Sequence, residues 1–334
     1  MGENNLLLVF NYTVHLFSGA TGSGGISGTN AERGAIHDRP CEELGSSEVE
    51  PYSPSGYTRP VKPARKIGLI GAGNMAEALV SGILNAGVAQ ASAIGVTDVS
   101  SVRLQYIQDT YGVAPFSSNV DLAKWSDVVL LCVKPQTMDS VLAEIRSTLS
   151  SGVLMISVAA GYPLKRLSDH LGGDATIIRA MPNTPAIVQQ GVTALAFGPQ
   201  VDSSQSQFAI GIFEAVGKVV TVEESLMDAV TGLSGSGPAY VYLMIEALTD
   251  AGVRVGLPRA TASVLATQTV LGAAKMVESS GDHPAVLKDR VTSPGGTTIA
   301  GLRELEAGGL RATVIKAVEA ATSRSAELGK ASSS

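Results

Sequence analysis

Aromatic residues make up only 4% of this 334-residue chain, and it holds two cysteines and four histidines. So few aromatics leave Ala, Val, Leu and Ile to build the core, packed closely against small residues; the 37 glycines fit that picture. Cys41 and Cys132 cannot form a disulfide framework, and no Cys/His cluster has the spacing of zinc ligands, so no metal site and a reducing compartment are expected. Cys132 lies in an apolar run and reads as a small buried hydrophobe. Basic residues (24) do not outnumber acidic ones (30), and a net charge of −6 offers no chain-wide positive field to nucleic acid or an anionic membrane. No apolar run approaches the roughly 20 residues needed to span a bilayer. A His–Asp pair placed for acid–base work is also missing. His170 sits in a polar helix end and His283 precedes Pro284 at a helix start, so both read as surface or capping residues.

Residues 1–64 differ from the rest. Ser18–Gly34 is rich in Gly, Ser and Thr, and Pro51–Pro63 holds four prolines. Such a segment cannot bury enough apolar surface to offset its ordering entropy, so a disordered extension is expected. Its apolar stretch Leu6–Phe17 is broken by Asn11 and His15 and lacks a basic segment before it, unlike a secretory signal. Glu42, Glu43, Glu48 and Glu50 are unusual for a transit peptide. A cytoplasmic protein is the expectation, with organellar targeting left open.

From Arg65 the pattern becomes strand–helix alternation. RKIGLI is a short strand, and Asn74–Asn85 has apolar residues at helical spacing: Met75, Ala78, Leu79 and Ile83. Ala93–Thr97 and Ser101–Tyr111 repeat the pair. Asp127–Val133 (DVVLLCV) is the continuous apolar run of a central strand buried on both faces, and Pro135 opens the next helix. Gly152–Val158 and Ala175–Arg179 are further strands. The spacing predicts an α/β fold with a doubly wound parallel sheet over residues 65–224. From Leu226 strand signals cease, which predicts an all-helical domain over residues 225–331. There Ala239–Ala251 carries Tyr240, Leu243, Met244, Ala247 and Ala251 on one face, and Ala260–Val277 is apolar nearly all round. A few such helices cannot bury one another, so a dimer interface is expected. GLSGSGP (Gly232–Pro238) reads as a break between two helices.

Two turns carry chemistry. The first is Gly71-Ala72-Gly73-Asn74-Met75-Ala76, following Ile70 at a strand end and opening a helix. Gly71 permits the tight turn, Gly73 lets a pyrophosphate approach the backbone, and Ala76 is small enough for close helix–sheet packing. The motif in this context predicts dinucleotide binding. At the end of the second strand, Asp98 suits a ribose 2′-OH, whereas Ser100, Ser101 and Arg103 suit a 2′-phosphate; helix capping is the plainer role for Asp98. Val133, Lys134 and Pro135 end the buried strand at its carboxyl edge, where ligands of open α/β sheets bind, and SVAAG (Ser157–Gly161) ends the following one with small residues. The second turn is Ser293-Pro294-Gly295-Gly296-Thr297-Thr298. Its backbone N–H groups and three hydroxyls, at a helix N-terminus and free of side-chain bulk, suit a small carboxylate. Together the turns point to a reductase of a small acid. Asn183, between two prolines in RAMPNTP, reads as part of a rigid loop.

IGLIGAGNMA, VKPQ, SVAAG, RAMPNTP, TGLSGSGPAY and LKDRVTSPGGTTIAGLRELE, in that order, resemble the motifs of the pyrroline-5-carboxylate reductases over about residues 66–330. The resemblance implies reduction of (S)-1-pyrroline-5-carboxylate to L-proline with NADPH, NADH being the alternative. It implies a Rossmann domain followed by a helical domain that interlocks with a partner's, and homodimers that assemble further into rings of five. It also implies that Asn119, Lys134, Pro135 and Ala160 contact the cofactor, that Glu224 lies at the substrate end of the site, and that Thr298 bonds the ring nitrogen. Ser293, Gly295, Gly296 and Thr297 would hold the carboxylate. Arg290 stands at a variable position that sometimes meets the cofactor. A β-hydroxyacid-type dehydrogenase, the nearest competing enzyme, would need a lysine base in Ala239–Ala251, which has none. A cofactor-binding protein without turnover would be expected to lose Gly71, Gly73 or the SPGGTT donors, and all are present.

Overall fold

The computed structural model describes residues 65–331, Ser151 excepted. The disordered extension expected at residues 1–64 lies outside the described residues.

Eight strands form one sheet in the order β3-β2-β1-β4-β5-β6-β7-β8. They are β1 (Ile67–Ile70), β2 (Ile94–Thr97), β3 (Ala114–Pro115), β4 (Val128–Leu131), β5 (Leu154–Ser157), β6 (Thr176–Met181), β7 (Gly191–Phe197) and β8 (Gly217–Thr221). β1 lies between β2 and β4, pairing Ile67 with Ile94 on one side and with Val128 on the other. The order therefore reverses beside β1, which opens a crevice at the carboxyl edge of the sheet. Every neighbouring pair is parallel except β6 and β7, whose antiparallel register sets Ile178 opposite Phe197. The expected doubly wound parallel sheet is present; β3, β7 and β8 add to the five strands expected, and the step from β6 to β7 is its one antiparallel pair among the described residues.

The side-chain period of two divides the central strands between two cores. Ile67, Leu69, Val128, Leu130, Leu154 and Ile156 face one core, which α1 (Asn74–Asn85), α2 (Ser101–Tyr111) and the later α6 (Ser203–Glu214) help to fill. Ile70, Val129, Leu131 and Met155 face the other, covered by α3 (Asn119–Trp125), α4 (Pro135–Ile145) and α5 (Leu164–Leu171). Burial on both faces is why β1, β4 and β5 read as unbroken apolar runs.

After β8 the chain is helical: α7 (Met227–Val230), α8 (Gly237–Arg254), α9 (Arg259–Ser280), α10 (Pro284–Arg290), α11 (Thr297–Ala307) and α12 (Leu310–Ala331). The GLSGSGP break is a correction. Thr231–Gly235 winds as one π-helical turn that carries α7 into α8. Thr231 and Ser234 hydroxyls donate to the Met227 and Val230 carbonyls, satisfying the loosened backbone. α12 returns against α7 and this turn, while α8 and α9 pack on each other. The outward faces of α8 and α9 are apolar and uncovered: Leu243 is 66% exposed and Val264 69%.

Candidate active site

The glycine turn follows β1. Gly71 has φ +99°, and a Cβ there would stand 2.8 Å from the Cys132 carbonyl oxygen, so only glycine fits between the two strand ends. Burial beside it pushes the Cys132 thiol up to about 12, which leaves it a protonated filler of the apolar run. At Gly73 the reverse holds: nothing lies within 4 Å of an added Cβ. Gly73 is the N-cap of α1 and offers no side chain to the first turn, so the N–H groups there face open space. Gly73 and Asn74 are exposed and Met75 half-buried, while Ala76 is buried against the sheet. This is a ready seat for a pyrophosphate.

The wall of this seat at the end of β2 is built of charges. Asp98 is not the cap of α2; Ser100 is, its hydroxyl accepting from the Arg103 N–H at 3.3 Å. Asp98 braces the glycine turn, accepting from the Ala72 N–H at 2.7 Å and from the Ser100 N–H at 2.8 Å. Arg103 Nε donates to the Ala72 carbonyl at 2.6 Å, and its Nη2 pairs with Glu77 of α1. Glu77 also accepts the hydroxyls of Tyr106 (3.1 Å) and Tyr111 (3.2 Å). Burial raises its carboxyl, but the hydrogen bonds and the Arg103 charge outweigh this and hold it below its ordinary value. Sequence reasoning singled out Asp98 and Arg103 but missed Glu77, because an acid in a helix's first turn looks like a dipole partner until the arginine across from it is known.

Along the same sheet edge, exposed Lys134 caps α4, Pro135 occupies its first turn and Val133 is half-buried. Asn119 opens α3 and donates to Glu144 at 2.8 Å. Ala160, half-buried, follows β5 in the SVAAG turn, where Gly161 (φ +67°) lies against α12 near Ser325 and Gly329. Directly after it, the Leu164 N–H donates to Glu224 Oε1 at 2.5 Å. The same oxygen lies 3.4 Å from the guanidinium of Arg179, which is 5% exposed. Arg179 reaches on to Asp228 (3.9 Å), which accepts the Ser325 hydroxyl at 2.7 Å. Glu224 Oε2 has no partner among the described residues. Asn183 is buried; its Nδ2 donates to the Ser234 carbonyl (3.1 Å) and its Oδ1 accepts from the Val192 N–H (2.9 Å). The loop is therefore tied to the π-helical turn.

The second seat is the N-terminus of α11. Gly295 has φ +66°, and Gly296 is the N-cap without a capping side chain. A Cβ on Gly296 would stand 2.3 Å from Ser293 Oγ, so glycine lets that hydroxyl fold over the helix end. The Gly296 N–H is bonded to the Ser293 carbonyl, while the first N–H groups of α11 have no intrahelical acceptor. Thr297 is exposed and Thr298 half-buried, and neither hydroxyl has a partner among the described residues. Of the helices and strands, α11 packs chiefly on α12, which leaves the turn open. Arg290, close before it, pairs with Asp282 at 2.6 Å.

A Rossmann sheet with one open anion seat at its reversal point, joined to a helical segment that carries a second, defines a nicotinamide-dependent oxidoreductase of a small acid. Residues 224–328 match the family model for pyrroline-5-carboxylate reductase dimerisation, and residues 66–161 match that of the coenzyme F420-dependent NADP oxidoreductases. The chain is 48% identical over 265 residues to a pyrroline-5-carboxylate reductase of Arabidopsis thaliana, covering 79% of this chain and 96% of that one. It is 51% identical over 265 residues to that of Synechocystis sp., covering 79% and 98%. The solved reductase of Coxiella burnetii superposes with a TM-score of 0.76 at 40% identity, covering 79% of this chain and 98% of that one. The Plasmodium falciparum enzyme, solved with NADP bound, gives 0.73 at 37% identity over the same shares. The chain belongs to the pyrroline-5-carboxylate reductase family and is an NAD(P)H-dependent oxidoreductase.

Proposed function

We propose that this protein reduces (S)-1-pyrroline-5-carboxylate to L-proline, the last step of proline biosynthesis, with NAD(P)H as reductant. The observation that carries the reading is the pairing of two uncapped helix N-termini, each opened by glycine, one on the sheet and one on the helical segment. The reading divides the chain into a dinucleotide domain, 65–224, and a substrate and dimerisation domain, 225–331.

The open turn fits a dinucleotide: Ile70–Met75 would seat the pyrophosphate, with Asp98 and Ser100 at the ribose. Asn119 and the Val133-Lys134-Pro135 strand end would line the ribose and nicotinamide side, with Ala160 beneath the ring. The bound nicotinamide supplies the hydride. The protein's own work is positioning. Ser293 Oγ and the N–H groups of Gly295 and Thr297, with Gly296 giving room, would hold the carboxylate. Thr298 Oγ1 would orient the ring nitrogen, and Glu224 Oε2 would face its positive charge in the iminium. A cyclic imine that binds protonated needs no separate acid. Holding donor and acceptor at near-attack distance then supplies most of the acceleration.

A homodimer accounts for the uncovered apolar faces of α8 and α9 and for a substrate turn that packs chiefly on α12. We read the working site as completed by a second copy, with five dimers in a ring as the larger assembly and the cytoplasm as its compartment. The test is direct: purified full-length protein receives the imine with NADPH or NADH, and the reduced-nicotinamide absorbance is followed. No imine-dependent loss with either cofactor refutes the proposal.

A further inference from the structure

The wall at the end of β2 holds a charge pair for which hydride transfer has no use. Asp98 and Arg103 grip opposite ends of one residue, the N–H and the carbonyl of Ala72, at 2.7 and 2.6 Å. Both groups are thereby fixed beside the glycine turn, at the strand end where an acid suits a ribose diol and an arginine a 2′-phosphate. The two demands conflict, and Glu77 bears on the outcome. It reaches across from α1 to Arg103 Nη2 and is itself held by the hydroxyls of Tyr106 and Tyr111. Two carboxylates against one guanidinium leave this wall with a net negative charge. Arg103 is further confined by the Tyr106 ring, whose centroid lies 4.9 Å from the guanidinium carbon.

We propose that Glu77 is a specificity-determining residue: by engaging Arg103 it withholds that guanidinium from a 2′-phosphate and so lowers the preference for NADPH over NADH. It is a positioning residue, acting through Arg103 and touching neither substrate nor the reacting atoms. The inference rests on the dinucleotide reading of the glycine turn. It differs from the role of Asp98, whose carboxylate is committed to the turn itself.

Glu77→Gln removes the charge but keeps a side chain of the same shape that can still accept the tyrosine hydroxyls. The expected result is a rise of about tenfold in the NADPH:NADH ratio of kcat/KM, carried by a lower KM for NADPH, with kcat unchanged. A tenfold change corresponds to about 1.4 kcal/mol. Adding Arg103→Ala to Glu77→Gln should cancel the gain. A ratio that stays put or moves toward NADH overturns the proposal. Should Glu77→Gln fail to fold, Arg103→Ala alone decides: little change in NADPH affinity supports the proposal, and a tenfold loss confined to NADPH overturns it. Titrating each cofactor without the imine yields the same ratio as dissociation constants. Failure of the reductase reading, in which cofactor binds but the imine is not reduced, is thus distinguishable from failure of the Glu77 reading.

Discussion

Gly71→Ala and Gly73→Ala separate what the fold needs from the nucleotide turn from what the cofactor needs. At Gly71 the backbone is left-handed (φ +99°), and an added Cβ would meet Cys132 oxygen at 2.8 Å and carbon at 3.0 Å. The left-handed conformation costs an L-residue about 1–2 kcal/mol. A backbone carbonyl between two central strands cannot swing aside as a side chain can, so overpacking adds about 1–3 kcal/mol. With roughly 2–4 °C of melting temperature per kcal/mol for a domain of this size, Gly71→Ala should melt about 4–20 °C lower. At Gly73 the backbone (φ −70°, ψ −176°) is ordinary for alanine and an added Cβ meets nothing. Alanine is the poorer N-cap, a loss of about 1 kcal/mol or less, so melting should move by no more than about 4 °C. The same methyl would hold a pyrophosphate off the first N–H groups of α1. Losing hydrogen bonds to a charged group removes about 1.5–3 kcal/mol, or roughly 10- to 150-fold in affinity. Circular-dichroism melts and fluorescence titration of both nucleotides read the two effects on the same samples. A Gly73→Ala protein that binds NADPH and NADH as the parent does would refute the seat. A Gly71→Ala protein that melts with the parent would refute the packing argument.

Thr298→Ala should lower kcat/KM for the imine by about one to two powers of ten, the loss of about 1.5–3 kcal/mol for a hydrogen bond to a charged group, while cofactor affinity stays. Equal losses in imine kinetics and cofactor titration, or none in either, would remove Thr298 from the substrate. Leu243→Glu with Val264→Glu, on faces that are 66% and 69% exposed at those residues, should yield a smaller particle by light scattering and little activity; a fully active monomer would sink the composite site. Asp139 accepts from Tyr162 and Arg166, and lies 3.1 Å from His170 Nε2, between α4 and α5. Burial raises its carboxyl, but the hydrogen bonds from Tyr162 and Arg166 and the neighbouring charges hold it below the ordinary 3.8. Its contribution is therefore present above that pH and is lost as pH falls through the lower folded-state value. Asp139→Asn should flatten the acid limb of stability against pH, and an unchanged limb would show that this cluster contributes nothing.

The elements that position the cofactor seat were legible where local signals agreed. β1, the glycine turn and α1 combine a buried run, a left-handed glycine and helical spacing, and α1 spans the expected Asn74–Asn85. The run DVVLLCV marked β4 because both its faces are buried. β3 escaped notice because two residues carry no period. β7 and β8 are not among the strands read from the sequence, and the reversal at β7 is set by pairing with β6, a contact that neither segment encodes alone. GLSGSGP looked like a break because glycine and proline punctuate, yet Thr231 and Ser234 back-bond and α12 packs over the turn, so the winding continues. Asp98 reads as a ribose contact, with capping as the alternative because it precedes α2 by three residues; the Ala72 N–H from which it accepts comes from another strand end, which neither reading anticipates. For the C-terminal helices the surplus of apolar residues was readable, while the surface they cover was not.

The structure distributes its rigidity unevenly, and that distribution follows the chemistry proposed. β6 and the loop after it are fastened to the helical segment by buried Arg179, which spans Glu224 and Asp228, and by Asn183, which holds Ser234. Through Glu224 and the Leu164 N–H the same network fixes the chain just beyond the SVAAG turn, where Ala160 would lie under the nicotinamide. Hydride transfer is steep in distance, so the floor of the site must be stiff, and a buried arginine bridging two carboxylates supplies that stiffness at a position that cannot relax without stranding a charge. Among the described residues the proposed carboxylate seat has no such buried ties, and α11 rests chiefly on α12. Its precision would have to come from the surface that covers α8 and α9. Oligomerisation would then be part of catalysis: the assembly that buries the apolar helices would also bring the substrate turn to the cofactor.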